Sequence, residues 1–211
     1  MQIVLTSIES QLTKAWETFC GDLECVDIYQ GSILDVECDA IVSPANSFGF
    51  MDGGIDAVYT KHFGKQLQHR VQQRIKQAHH GELLVGQADI FSTTSHPPFM
   101  IVAPTMRVPM ILKDSVNPYL AARATLLLVK HGVFSAGPYQ GVPIAEKVKC
   151  VAFPGFGTGV GQVSGTTCAH QVRAAIDEVL LGKNDFPVTW ADAQSRHQRL
   201  YTDRVRNLQK P

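Results

Sequence analysis

Two glycine-bearing stretches in this chain each follow a short apolar run and lead into a helical pattern. The first runs from Ile41-Val42-Ser43-Pro44-Ala45-Asn46 to Gly53-Gly54-Ile55-Asp56. The second runs from Cys150-Val151-Ala152-Phe153-Pro154-Gly155 to Gly161. A strand, a glycine loop and a helix start, in that order, aim backbone N–H groups at one point and add the positive end of a helix dipole. That is anion-binding chemistry, and two copies predict a diphosphate gripped from both sides. Glycine suits both loops because it accepts positive φ and lets a ligand approach the backbone closely. Asn46 offers an amide that can meet a sugar hydroxyl or its own turn. Asp56 falls in the first turn of a helix, where a carboxylate can activate a water or cap the helix.

Commoner motifs do not fit these loops. The second has no lysine after its glycines, so it is not a GxxxxGK phosphate loop. A GxGxxG reading from Gly155 ends on Val160, and one from Gly157 ends on Gln162. Ser164 lacks the glycine two residues earlier that a GxSxG turn requires. His79-His80 is a lone pair whose side chains would point apart on a helix, so no metal site is expected.

The elements that must position the loops follow from periodicity. Gln2 to Ile8, Val26 to Tyr29, Ala40 to Val42 and Lys149 to Phe153 read as strands, as do Leu83 to Val85, Ala88 to Phe91 and Met100 to Ala103. Leu12, Ala15, Trp16 and Phe19 form one face of a helix that Ser10 is placed to cap. Ile55, Val58, Tyr59, Phe63, Leu67, Val71, Ile75 and Ala78 recur every three or four residues, predicting a helix that starts just after Gly53-Gly54 and ends near Gly81, interrupted in its pattern only by Gly64. Asn117-Pro118 opens another helix, with Asn117 as its cap, and Gly132 closes it. Residues 133 to 147 read as a loop. Val172, Ala175, Ile176 and Val179 mark a further helix, ending at Gly182. Alternating strands and helices imply an α/β layered fold, and the run of strands between 83 and 103 implies a mixed sheet.

Length and composition add bounds. A chain of 211 residues, 45% hydrophobic and 18% charged, has an ordinary globular make-up. Its 19 basic and 19 acidic residues balance, so bulk charge gives no argument for nucleic-acid or membrane partners. The five cysteines (Cys20, Cys25, Cys38, Cys150, Cys168) lie at neither CxxC nor zinc-finger spacing and read as reduced thiols, which suggests a cytoplasmic setting. No apolar run reaches the roughly 18 residues of a membrane span, and the N-terminus lacks the pattern of a signal peptide. Residues 184–211 read as a basic helical appendage to a body formed by residues 1–183, with Arg196, Arg199, Arg204, Arg206 and Lys210.

The order of motifs resembles the macro domain family. Gly31-Ser32-Ile33, then Asp39-Ala40-Ile41-Val42, Ala45-Asn46 and Gly53-Gly54-Ile55-Asp56, is similar to that family's first half. Phe153 to Gly161 is similar to its second phosphate loop. Within the family, the second loop looks most like the branch acting on ADP-ribose 1″-phosphate or on ADP-ribosylated protein. The resemblance implies a three-layer α/β/α sandwich around a mixed sheet, with ADP-ribose in a cleft at the strand ends and no cofactor. It implies ligand contacts from Ser32, Ile33, Asn46, Gly53, Gly54, Ile55, Gly155, Phe156, Gly157, Thr158, Gly159, Val160 and Gly161, with Asp56 and Asn46 as catalytic candidates. Phe156 is equally open to packing on a ribose or in the core. Three positions depart from the family pattern. Ser32 stands where an aspartate reads adenine, Gly161 or Gln162 where an aromatic closes the second loop, and Thr60 where some hydrolytic members carry histidine. The function implied is a hydrolase of ADP-ribose derivatives. A non-catalytic ADP-ribose reader shares nearly all the same contacts, and the basic C-terminal segment leaves open a nucleic-acid or protein interaction module.

Overall fold

Short apolar runs flanked by turn residues become the strands of one six-stranded sheet. The computed structural model describes residues 1–201. In chain order the strands are β1 (Gln2–Ser7), β2 (Val26–Gln30), β3 (Ala40–Ser43), β4 (Asp89–Ser92), β5 (Phe99–Val102) and β6 (Cys150–Phe153). The helices are α1 (Ser10–Cys20), α2 (Gly54–Phe63), α3 (Gln66–Ala78), α4 (Asn117–His131), α5 (Ile144–Lys147), α6 (Gly165–Val179) and α7 (Trp190–Arg199), with a 3-10 turn at Ile33–Asp35. The sheet order is β2-β1-β6-β3-β5-β4, parallel throughout except for β4, which runs antiparallel to β5 at one edge.

Side-chain alternation divides the core into two layers, as the two-residue period of a strand requires. Ile3, Leu5, Val42, Ile101 and Val151 face one way and pack with α1, α4, α5 and α6. Val4, Ile41, Met100, Val102 and Ala152 face the other way and pack with α2 and α3 through Tyr59, Phe63, Leu67, Val71 and Ile75. The architecture is therefore a three-layer α/β/α sandwich on a mixed sheet. The inner strands β3 and β5 are buried on both faces, which is why they are continuous apolar runs rather than alternating ones.

Several elements differ from the expectation. The long helix after the first loop is two helices. Gly64 takes φ +85°, a left-handed conformation that ends α2 and starts a new axis at α3. Leu83 to Val85 is not a strand. Leu83 is buried, but its N–H donates singly to Ser47 O at 3.0 Å, and Leu84 and Gln87 close a turn. Asn117 is the first residue of α4 and not its cap. Its amide donates instead to Thr105 O at 2.7 Å, tying the helix to the segment after β5. Ser10 likewise lies inside α1, whose cap position is Glu9. Residues 133 to 147 contain the short helix α5 and a bridge between Val133 and Pro143. Beyond α6, the α7 residue Arg199 accepts at its carbonyl a hydrogen bond with the His170 ring, 2.8 Å away. Arg204, Arg206 and Lys210 of the proposed basic appendage lie outside the described residues.

Candidate functional site

β3 and β6 are hydrogen-bonded neighbours, so the two glycine loops that follow them emerge side by side, roughly 4.8 Å apart at their roots. The turns after β1 and β2 emerge at the same end of the sheet because those strands are parallel to β6. Together they enclose a cleft of about 560 Å³ at the C-terminal strand ends. This is where an open α/β sheet places its ligands. Ser32, Ile33, Asn46, Gly53, Gly54, Ile55 and Asp56 line one side. Gly155, Gly157, Thr158, Gly159, Val160 and Gly161 line the other.

Loop 1, residues 46–56, is shaped by side-chain hydrogen bonds. Asn46 Oδ1 accepts from the N–H groups of Phe48 (3.1 Å) and Phe50 (3.2 Å), and its Nδ2 donates to Phe50 O (2.8 Å). The amide is thus used largely on its own loop, leaving one N–H for a ligand. Helices α2 and α3 hold the far end. Thr60 donates to Met51 O at 2.7 Å, and Met51 N–H donates to the Gln68 side chain at 2.7 Å. Helix α2 has no side-chain cap, and the N–H groups of Gly54, Ile55 and Asp56 find no acceptor among the described residues. An uncapped helix start that opens on a cleft is an anion site in waiting. Gly54 takes φ +53°, and added Cβ atoms at Gly53 and Gly54 would meet open space.

Loop 2, residues 154–161, is shaped by packing. Gly157 takes φ +67°, and Val163 N–H donates to its carbonyl at 3.0 Å. A Cβ on Gly161 would lie 2.5 Å from Gly157 O, and one on Gly155 would lie 2.7 Å from Leu12. Helix α6 is capped by Ser164, whose hydroxyl accepts from Thr167 N–H at 3.0 Å. The N–H groups of Gly157, Thr158, Gly159 and Val160 find no acceptor among the described residues. Phe156 is the exception in this loop. Its ring is at 0% exposure, edge-on to Phe153 at 5.5 Å, and belongs to the α1/α4/α6 side of the core. The alternative of ring contact with a ribose is therefore set aside, and core packing holds at this position.

Asp56 forms part of the cleft floor, only 6% exposed, and its Oδ1 accepts from Ser43 Oγ at 2.6 Å. Burial pushes its carboxyl up to about 6, against the opposing pull of the Ser43 hydrogen bond. Tyr59 OH donates to Val42 O at 3.0 Å alongside, so α2 is pinned to the end of β3 at two points. His62 faces away from the cleft, with its Nε2 3.1 Å from His96 O. Ser32 caps the 3-10 turn by accepting from Leu34 N–H at 3.2 Å. Asp35 is exposed on that turn and is not part of the cleft wall.

Sequence reasoning missed three contributors. Ser43 orients Asp56. Ile8 and Glu9 line the cleft from the turn after β1. A strap from Thr105 to Leu112 closes it: Ser47 N–H donates to Met106 O (3.0 Å), and Leu112 N–H donates to Gly161 O (2.7 Å). The turn after β1 could have been found from the rule that parallel strand ends build sites. The run Ala103 to Pro109 is similar to part of the family, but nothing local shows that the strap reaches the cleft, because its anchors are long-range.

Burial lifts the thiols of Cys20, Cys38 and Cys168 to about 12, so they are poor nucleophiles. Among the described residues, no group of His, Cys, Asp or Glu could hold a metal ion, and no helix is long and apolar enough to cross a membrane. In the C-terminal segment, Arg196 pairs with Asp192 at 3.1 Å, which satisfies one of its two described arginines internally.

The family model of the Macro domain matches residues 42–172. An uncharacterised protein of Aquifex aeolicus is 31% identical over 156 residues, covering 73% of this chain and 80% of that protein. A mutant macrodomain of Oceanobacillus iheyensis, solved with ADPR, superposes with a TM-score of 0.57 at 21% identity over 81% of this chain and 86% of that one. The macrodomain of Mycobacterium tuberculosis DarG superposes with a TM-score of 0.55 at 16% identity, over 70% of this chain and 87% of that one. At these identities the two structures share the fold.

Proposed function

Because the chain belongs to the macro domain family, we propose that its cleft binds ADP-ribose, with the diphosphate held between the two glycine loops. One observation carries this reading. Two sets of unsatisfied backbone N–H groups, at the start of α2 and along loop 2, face one cleft from adjacent strands. Gly53, Gly54 and Ile55 serve one phosphate, and Gly157, Thr158, Gly159 and Val160 serve the other. The remaining Asn46 N–H meets a ribose hydroxyl, Ile33 supplies a backbone contact to the base, and the Ser32 hydroxyl faces it. A solved relative by fold carries ADPR, which supports the choice of ligand. Isothermal calorimetry with ADP-ribose, AMP and ADP tests it. ADP-ribose should bind more tightly than AMP, and equal or absent binding refutes the paired-loop grip.

Hydrolysis of ADP-ribose 1″-phosphate or of ADP-ribosylated protein is the chemistry that Asp56 would add. Its carboxyl, lifted to about 6, is largely ionised at neutral pH and sits at the cleft floor. A base near the working pH can activate water for attack. The reader function is the second reading, favoured by the burial of Asp56 and its hydrogen bond to Ser43. Asp56→Ala separates them. A hydrolase variant loses turnover and keeps binding, whereas a reader shows no turnover even in the wild type.

A further inference from the structure

Apolar side chains are exposed at the mouth of the cleft. Ile8, Phe50, Val58 and Val160 line it and are 46 to 78% exposed. The Thr105–Leu112 strap extends this surface. It is fixed at one end by Ser47 and at the other by Leu112, whose side chain is buried. Between these anchors Pro109 lines the cleft, while Val108, Met110 and Ile111 are exposed by 46, 48 and 60%. Exposed apolar side chains on a strap that borders the cleft through Met106 and Pro109 mark an interaction site, and a fixed backbone avoids the ordering penalty of binding.

Charge selects the kind of partner. No lysine, arginine or histidine side chain lines the cleft among the described residues, whereas Glu9 and Asp52 do. Arg107 on the strap is held by Glu82 at 2.8 and 3.2 Å. Lys113 follows the strap immediately. A polyanion needs several such contacts along its backbone, and an apolar polypeptide needs none.

We propose that this collar docks the apolar polypeptide segment flanking an ADP-ribosylated side chain, so that the cleft takes the nucleotide and the strap takes the chain that carries it. The proposal rests on the ADP-ribose reading above.

The test compares three probes on the full-length protein: free ADP-ribose, a mono-ADP-ribosylated peptide with leucine and phenylalanine flanks, and an ADP-ribosylated single-stranded oligonucleotide. The wild type should bind the peptide about tenfold or more tighter than free ADP-ribose. Val108→Ser/Met110→Ser/Ile111→Ser should bring the peptide down to the ADP-ribose value and leave ADP-ribose itself unchanged, which also reports that the variant folds. Equal wild-type affinity for peptide and ADP-ribose overturns the collar while leaving the nucleotide reading intact. Tighter binding of the oligonucleotide overturns it in favour of a nucleic-acid partner. Failure to bind any probe removes the nucleotide reading and the collar with it.

Discussion

The two glycine loops leave neighbouring strands and face one cleft, yet they are held by opposite means. Loop 1 is fixed by side chains: Asn46 inside the loop, Thr60 and Gln68 beyond it, and the Ser43–Asp56 pair below. Its glycines at positions 53 and 54 have open space around them. Loop 2 is fixed by close packing of its own backbone, with Gly155 and Gly161 where a Cβ has no room. The same residue type therefore does two jobs: Gly53 and Gly54 leave open space on the cleft side, whereas Gly155 and Gly161 let loop 2 fold back on itself, with Gly49 packed against Val71 and Gly159 open as the exception in each loop.

The sharpest way to break this contrast is Gly161→Ala. Its Cβ would meet Gly157 O at 2.5 Å, so the backbone must shift, at about 3 kcal/mol or more of stability. A melting temperature within a degree of wild type would show that loop 2 is not packing-limited.

Asp56→Asn probes the floor beneath loop 1. The folded-state carboxyl is raised from 3.8 to about 6, so its contribution to stability is greatest below about pH 4 and is lost as pH rises through 6. The shift corresponds to roughly 3 kcal/mol at most. The asparagine variant should flatten the stability profile between pH 4 and 6 and should melt no lower than wild type at pH 7. An unchanged slope in urea titrations across that range would contradict the assignment.

Asn46→Ala removes three hydrogen bonds that shape loop 1. A loss of about 2 kcal/mol is expected, with ADP-ribose affinity falling as the loop loosens. A stability loss with affinity intact would place the loop's order outside ligand binding. Phe156→Leu should have the smallest effect, about 1 kcal/mol of stability with no change in affinity, since the ring is in the core. A large affinity loss would return Phe156 to the ligand.

Much of this arrangement was legible in the sequence because it is local. The runs Ala40–Val42 and Cys150–Phe153, each followed by glycines and a helical period, place both loops without long-range information. The layering follows from the same alternation that splits Val4 from Ile3 and Leu5. Gly64 is the one interruption in the apolar period, which continues on either side of it, and its left-handed backbone turns that interruption into the boundary between α2 and α3. The apolar run at Leu83 to Val85 suggests a strand, but the buried Leu83 is held there by a single backbone bond to Ser47 rather than by sheet pairing. Phe156 fits a ligand or a core equally by type, and its packing on Phe153 decides between them. The strap depends on Leu112 reaching Gly161, a pairing that no local pattern announces.

The most direct test of the account is Gly53→Val, measured for melting temperature and for ADP-ribose affinity on the same preparation. Gly53 has an extended backbone at φ −134° and an empty space where its Cβ would go, so a side chain fits the fold but occupies the cleft. The account predicts an unchanged melting temperature and at least about a tenfold loss of ADP-ribose affinity. Unchanged affinity would mean that loop 1 does not approach the ligand, and the paired-loop grip would be wrong.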